Sequence, residues 1–598
     1  MSLRDRSLRD RSLRDRSLLD RSAIRVTRPR VFGLVLVLVM LVGSVLVVGS
    51  ALPAGDAWAA PVHPTTTTAP APPTWQTAWT EPMDLPYSTA VDATVRDIAQ
   101  IPVSGTAIEI RLSNAWSSTP TTFGAVTVGA AQNGAAIVPG SIVPVTFGGA
   151  RAVTVPANGS VTSDPVAVTV QAGEPLAITV SVLGSATVSV HYCCAGQVDS
   201  YATANGGGDQ TANPSAAGFT LADGNIRWLS AVTIAGSPAL GTVVAFGDSI
   251  TEGFANGGTG WPNVLRLRIA QLPASAQVSL VNEGITGNTL TVFPPGGSYA
   301  ETSGGLPGVT RFGPDALDLP GVKDIVLLLG TNDIWFGAGG EGGAPIPPYG
   351  SATAIEQGME ALIARAHAAG VKIFGVTLLP RSSSTGVGGE RPETWTAADQ
   401  ATLAAVNAWI LGPGTGFDGV IDLSAVMGDV YNGACQPDLP FPPYYTPDNL
   451  HPNTAGQTAM ADAVPTTLFG IPQAPQAPPT IVATPTPGCP GAIQAEQALA
   501  AGRAVPASTP VPTTQPVPTT RPPAARPRAT RQAGHSGGLP IGALVAISAF
   551  VLILVIASIV VLWRRAARRR FRHRRSRGAP APAPTPRATS LVDRGRRP

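Results

Sequence analysis

The chain has 598 residues, 44% of them hydrophobic, enough to fill more than one hydrophobic core. Its formal charge of +3 hides an asymmetry, because residues 75–470 carry 12 Lys and Arg against 30 Asp and Glu, a net −18. An acidic folded region lacks the basic face that counterion release requires, which argues against a nucleic-acid partner.

At the amino terminus a Ser-Leu-Arg-Asp-Arg unit starts at Ser2, Ser7 and Ser12, with a variant at Ser17. A period of five suits neither a packed helix nor a strand, so this is a low-complexity stretch. An apolar run from Val31 to Ala54 follows and ends in Ala57-Trp58-Ala59. Residues 1–59 therefore read as a basic segment plus a secretory signal peptide cut before Ala60; left uncut, a run this long is an anchor. Residues 60–74 form a Pro/Thr linker.

Residues 75–238 read as an antiparallel β-sandwich. Ile108, Ile110 and Leu112 alternate with Glu109 and Arg111, and Ile178, Val180 and Val182 with Thr179 and Ser181, between breaks of Gly, Pro, Ser and Asn. From 239 to 472 the texture changes to continuous apolar strands separated by helices: Thr242 to Phe246, Val278 to Asn282, Ile325 to Leu329, Ile373 to Leu378 and Val420 to Leu423. That alternation predicts a parallel sheet covered on both faces. One helix presents Ile355, Met359, Leu362, Ile363 and Ala366 before Gly370; another opens with a capping box, Thr396 and Asp399, ahead of Leu403, Val406 and Ile410.

Residues 473–537 are rich in Pro, Thr and Ala and read as a linker. Residues 538–563 are apolar and long enough to span a bilayer, and the Arg-rich segment 564–598 places the tail in the cytoplasm by the positive-inside rule. The expected location is the cell membrane, single-pass, with the folded part outside. Of the four cysteines, Cys193 and Cys194 are adjacent, so Cys435 with Cys489 is the first disulfide to expect; spacing leaves three full connectivities open.

Four separated segments carry residues suited to acyl transfer. Ester hydrolysis needs a nucleophile, a base, a group that orients the base, and donors aimed at the developing oxyanion. Gly247-Asp248-Ser249 follows the first parallel strand, putting a serine at a carboxyl strand end. In Asn282-Glu283-Gly284-Ile285-Thr286-Gly287-Asn288, Gly284 offers a backbone N–H with no side chain in the way. In Gly330-Thr331-Asn332-Asp333, the Asn332 amide is a donor, while Asp333 suits a cap or a loop brace. In Asp448-Asn449-Leu450-His451, the carboxylate is three residues from an imidazole, close enough to orient it.

Elimination leaves one base. Of the three histidines in the folded region, His191 is assigned to the polar side of its strand, and with Cys193 and Cys194 it falls short of a four-ligand zinc site. His367 suits the last turn of its helix as a cation on the dipole. His451 remains. Trp261, Trp335, Tyr444 and Tyr445 stand beside these segments, where aromatic residues line a pocket as often as they pack a core.

In this order the four segments resemble those of the SGNH hydrolases, also called GDSL esterases and lipases, over roughly Gly241 to Leu468. Arg311-Phe312, Asn407-Ala408-Trp409-Ile410 and Asp418-Gly419-Val420 are also similar. The resemblance implies a three-layer α/β/α domain, a triad of Ser249, Asp448 and His451, and an oxyanion hole from Ser249, Gly284 and Asn332, with no cofactor and no metal. No Gly-x-Ser-x-Gly elbow surrounds Ser249, which sets the chain apart from α/β-hydrolases. A subgroup with an amino-terminal β-rich module is similar at Ile108 to Asn114 and Ser163-Asp164-Pro165, implying an acylated small molecule or polysaccharide as substrate. Two alternatives stand beside hydrolysis: acyl transfer through the same triad, and a glycan-binding surface protein without catalysis. Oligomeric state has no signature in the sequence.

Overall fold

The computed structural model describes residues 74–501 except 193–198, 222–224, 293–303, 341–343, 386–392, 477–480 and 482. The expected signal peptide, the membrane span at 538–563, the Arg-rich tail, and Cys193 and Cys194 lie outside the described residues. Among the described residues no helix is long and apolar enough to cross a membrane.

Residues 75–235 form antiparallel sheets around a core of their own. Alternation holds on Ala107–Ser113, where Ile108, Ile110 and Leu112 are fully buried and Glu109 and Arg111 partly exposed. It fails on Pro175–Val182, whose Thr179 and Ser181 are also buried. The reason is a second cover. Segment 211–219 lies over that face: Thr127 Oγ1 donates to Thr211 O at 2.9 Å, and Arg96 donates from Nε to Thr179 Oγ1 at 3.0 Å and from Nη2 to Asn213 O at 2.7 Å.

The second region contains a five-stranded, wholly parallel sheet. Its spatial order is Ser279–Ile285, Thr242–Asp248, Val322–Leu328, Lys372–Val376 and Gly419–Ile421. The first strand in sequence thus sits between the second and third, and its carboxyl end lies at the point where successive connections leave in opposite directions, the usual place for a ligand crevice. Helix Ala352–Ala368 buries Ile355, Met359, Leu362, Ile363 and Ala366, and Gly370 follows it at φ 72°. The capping box is present on Ala397–Leu411: Thr396 accepts from the Asp399 amide, and the Asp399 carboxylate accepts from the Thr396 amide at 2.7 Å.

The two regions are joined by more than a peptide link. Thr77 N donates to Pro320 O at 2.7 Å, Thr242 Oγ1 to Thr77 O at 3.0 Å, and Arg111 Nη1 to Pro314 O at 3.0 Å.

The carboxyl boundary of the fold needs correction. Cys435 and Cys489 are disulfide-bonded, with Cα atoms 5.5 Å apart; Tyr431 bridges to Pro485, and helix Ala492–Ala501 buries Ala492 and Ala495 in the second core. The packed chain therefore continues past 472 into the segment read as linker. Its contacts come from alanines, prolines and one cystine, a composition that carries little periodic signal. In the chain-entropy view a cross-link closing 54 residues stabilises by on the order of 4 kcal/mol, less any native strain. Cys489→Ser is expected to lower the guanidinium unfolding midpoint accordingly; an unchanged midpoint would show that the cross-link adds nothing to stability.

Candidate active site

Strand Thr242–Asp248 ends with Asp248 in an extended conformation, and its Oδ1 accepts from Ile250 N at 3.0 Å to start the one-turn helix Ser249–Glu252. Gly247 is required beneath that turn, because a Cβ there would meet Thr251 Oγ1 at 2.2 Å and Leu328 O at 2.7 Å. Gly253, at φ 91°, ends the helix. Ser249 is thereby held at the strand end with only 4% of its surface exposed.

The segment Thr446–His451 folds around one carboxylate. Asp448 Oδ1 accepts from Thr446 Oγ1 at 2.6 Å and from the amides of Leu450 and His451, each at 2.9 Å. Asn449 supports the tight turn at φ 57°, a left-handed conformation that asparagine tolerates. The second oxygen, Oδ2, lies 2.6 Å from His451 Nδ1, and His451 Nε2 lies 2.9 Å from Ser249 Oγ. Nδ1 therefore carries the proton donated to the carboxylate, leaving the Nε2 lone pair to accept from the serine hydroxyl.

Two further residues bind this segment to the serine turn. Gln457 donates from Nε2 to Ile250 O at 3.0 Å and accepts at Oε1 from Trp261 N at 2.7 Å. Asn256 donates to Pro452 O at 2.8 Å and accepts from Thr454 Oγ1 at 2.9 Å.

Asn332 stands in the helix Thr331–Gly337 that follows the third strand; its Nδ2 donates one hydrogen to Asn288 O at 2.9 Å, leaving the other for a ligand. Asp333 braces the neighbouring loop: Oδ2 accepts from Leu290 N at 2.7 Å, and Oδ1 from Thr291 N at 2.9 Å and Thr291 Oγ1 at 2.6 Å.

Sequence comparison agrees with this arrangement. Residues 245–459 match the model of the GDSL-like lipase/acylhydrolase family. The chain carries a GDSL-like hydrolase domain. Among solved structures, the chain is similar to a GDSL-like lipase from Bacteroides thetaiotaomicron VPI-5482, with 18% identity, 38% of this chain and 88% of that one covered, and a TM-score of 0.26. It is similar to the aryl esterase of M. smegmatis, with 16% identity, 38% and 99% covered, and a TM-score of 0.26. A third likeness, to an acetyl-xylooligosaccharide esterase from Geobacillus Stearmophilus, has 16% identity, 40% and 97% covered, and a TM-score of 0.26. No curated protein matches the chain significantly.

Several expectations for the GDSL domain change once its side chains are placed. Gly284 is not a free donor: it lies within strand Ser279–Ile285, and its N–H is donated to Asn282 Oδ1 at 3.0 Å. A Cβ on Gly284 would strike Glu252 N at 2.3 Å, so the glycine serves close packing under the serine turn. Three residues on, Gly287 sits at φ 75° beside Asn288, and no described residue accepts from its N–H. Trp261, Tyr444 and Tyr445 are buried in the core, and Trp335 is partly buried and packs on Phe336. An exposed aromatic residue also stands at the site: Phe254, 42% exposed, has its ring centroid 5.2 Å from that of His451. Arg311 is buried beneath the site, donating to Asn288 Oδ1 at 3.0 Å, Gly247 O at 2.8 Å and Glu283 O at 3.0 Å. Its isolated position in the sequence carried no chemical signal beyond the family likeness. His191 lies on the polar side of its strand but is buried, because Glu252 and the residues around it cover that side. His367 occupies the last turn of its helix as expected, 3.0 Å from Asp418 Oδ2.

The carboxyls differ by surroundings. Burial pushes the Asp448 carboxyl up, but the hydrogen bonds it accepts from His451 and from the Thr446 hydroxyl outweigh this and hold it well below the usual range. Burial raises Asp248 to about 7 and Asp333 to about 6. Because the folded value of Asp248 lies above its ordinary 3.8, the native state binds the extra proton, and the stability it contributes is lost as pH rises from about 4 to about 7. Asp248→Asn has no such loss, so its stability relative to wild type is expected to rise over that interval and level off above it. Urea midpoints at pH 4, 5.5 and 7 check this; a constant difference would contradict it.

Proposed function

We propose that this protein is a serine esterase in which Ser249 attacks a small acyl ester, His451 takes and returns the proton, and Asp448 orients the imidazole. The observation that carries this reading is the unbroken run of hydrogen bonds from Asp448 Oδ2 through His451 to Ser249 Oγ, at 2.6 and 2.9 Å. Each geometric requirement of the reaction has a residue in position. The serine hydroxyl faces an unprotonated ring nitrogen, and the ring's other nitrogen faces a carboxylate that stays ionised.

The acyl carbon bonds to Ser249 Oγ as the hydroxyl proton passes to Nε2. Negative charge on the carbonyl oxygen is met by the Ser249 N–H, the free hydrogen of Asn332 Nδ2 and, in place of Gly284, the N–H of Gly287. Collapse expels the alcohol with the proton from Nε2, leaving an acyl-enzyme that water, activated by the same imidazole, hydrolyses. No metal or cofactor enters the scheme.

The near-complete burial of Ser249 favours a small acyl group such as acetyl, and the β-rich module supports a carbohydrate as its carrier. The apolar segments at 31–54 and 538–563 support an exported, membrane-tethered placement.

Ser249→Ala and His451→Ala are each expected to lower kcat on p-nitrophenyl acetate by about 10⁴-fold or more, since members of a triad act as a unit. A fluorophosphonate should label Ser249, located by mass spectrometry of the peptide. Equal turnover by wild type and Ser249→Ala would end the enzymatic reading.

A further inference from the structure

We propose that His191 is a positioning residue, an imidazolium contributed by the β-rich region that holds Glu252 and through it sets the serine turn and the Thr286–Gly287 loop. The inference rests on the esterase reading above and assigns the amino-terminal region a part in that site.

His191 ends strand Ser185–His191 and is 4% exposed. Its Nδ1 donates to Pro82 O at 2.9 Å, so Nδ1 carries a hydrogen. Nε2 lies between two carboxylates, 3.2 Å from Glu81 Oε2 and 3.3 Å from Glu252 Oε1. A bare lone pair there would face two oxygens of like polarity, so Nε2 is protonated as well and the ring is a cation. Burial favours the neutral ring, yet Glu81, Glu252 and Asp84 overcome it and raise His191 to about 10. Glu81 and Asp84 are themselves raised to about 7 by burial. Arg266 also acts on Glu81, and the charge on His191 acts on Asp315.

Glu252 connects this cation to the chemistry. It is the last residue of the four-residue helix that begins with Ser249, and its backbone packs on Gly284. Its Oε1 faces His191, while Oε2 accepts from Thr286 Oγ1, one residue before Gly287. One carboxylate thus ties the serine turn to the loop carrying the proposed donor, and the histidine that anchors it belongs to a different sheet system. A neighbouring bond follows the same route, with Thr80 Oγ1 reaching Asn282 O at 3.5 Å. Because a displacement of about 1 Å costs on the order of 10²-fold in rate, loosening this link acts on the chemical step.

The test uses the full-length chain and the variants His191→Gln, Glu252→Gln and both together, with thermal unfolding recorded for each. His191→Gln is expected to lower kcat on p-nitrophenyl acetate about tenfold or more with KM within about twofold, and to slow fluorophosphonate labelling of Ser249 in parallel. The double variant should be no slower than the slower single one, since both break one link. Wild-type kcat in His191→Gln, a loss carried by KM alone, or losses that multiply in the double variant overturn the proposal. If His191→Gln does not fold, Thr286→Val replaces it: reduced kcat at constant KM supports the link, and wild-type kcat overturns it. Turnover lost in Ser249→Ala but intact in His191→Gln refutes the positioning role alone. Absence of both turnover and Ser249 labelling in the wild type refutes the esterase reading and this inference with it.

Discussion

The contact on which the site depends is the 2.9 Å hydrogen bond between His451 Nε2 and Ser249 Oγ, made by residues 202 positions apart. Closing so long a loop costs conformational entropy that a single net hydrogen bond of about 1 kcal/mol does not offset. The bond persists because the two segments are fastened elsewhere. Gln457 and Asn256 each make two hydrogen bonds across the junction, and the helix beginning at Thr454 packs against Trp261–Ile269. The Asp448–His451–Ser249 geometry is therefore a consequence of helix docking, and these three side chains inherit positions set by Gln457, Asn256 and the packed helices.

A second layer of polar groups lies behind the reactive one. Asp333, Arg311, Asn288 and Glu252 are buried, and they tie the loops after the strands to one another by hydrogen bonds to backbone and side-chain atoms. Buried polar groups cost stability unless they are paired, so these bonds favour one arrangement of the loops, with Arg311 Nη1 left to an ion pair with Asp315 Oδ2 at 3.6 Å. That rigidity suits the esterase proposed above, whose donors must stand ready before charge develops. The same logic extends across the junction to His191, where the amino-terminal sheets meet the helix that begins with Ser249.

Much of the site was legible because its chemistry is local in sequence. Asp448 and His451 share one turn, Ser249 follows a recognisable strand, and Asn332 opens a helix after another. The errors share a physical origin. Gly284 and Gly287 are both glycines in one short segment, and which N–H is free depends on whether Asn282 folds back to accept it, a tertiary fact. His191 obeyed the alternation of its strand, but the exposed face of one region is the buried face of an interface. Phe254 lacked any periodic or motif signal, being a single aromatic residue in a glycine-rich turn.

By itself the sequence determined the order of strands and helices, the apolar faces that pack them, and the identity of a serine, an imidazole and its carboxylate. Those follow from periodicity and from short-range geometry that a few residues enforce. Only the tertiary structure decided that the first strand lies between the second and third, that residues beyond 472 return to the core through Cys489, and that the β-rich region reaches the serine turn. These depend on which surfaces exclude water against each other, a choice made among distant segments and invisible to any local window.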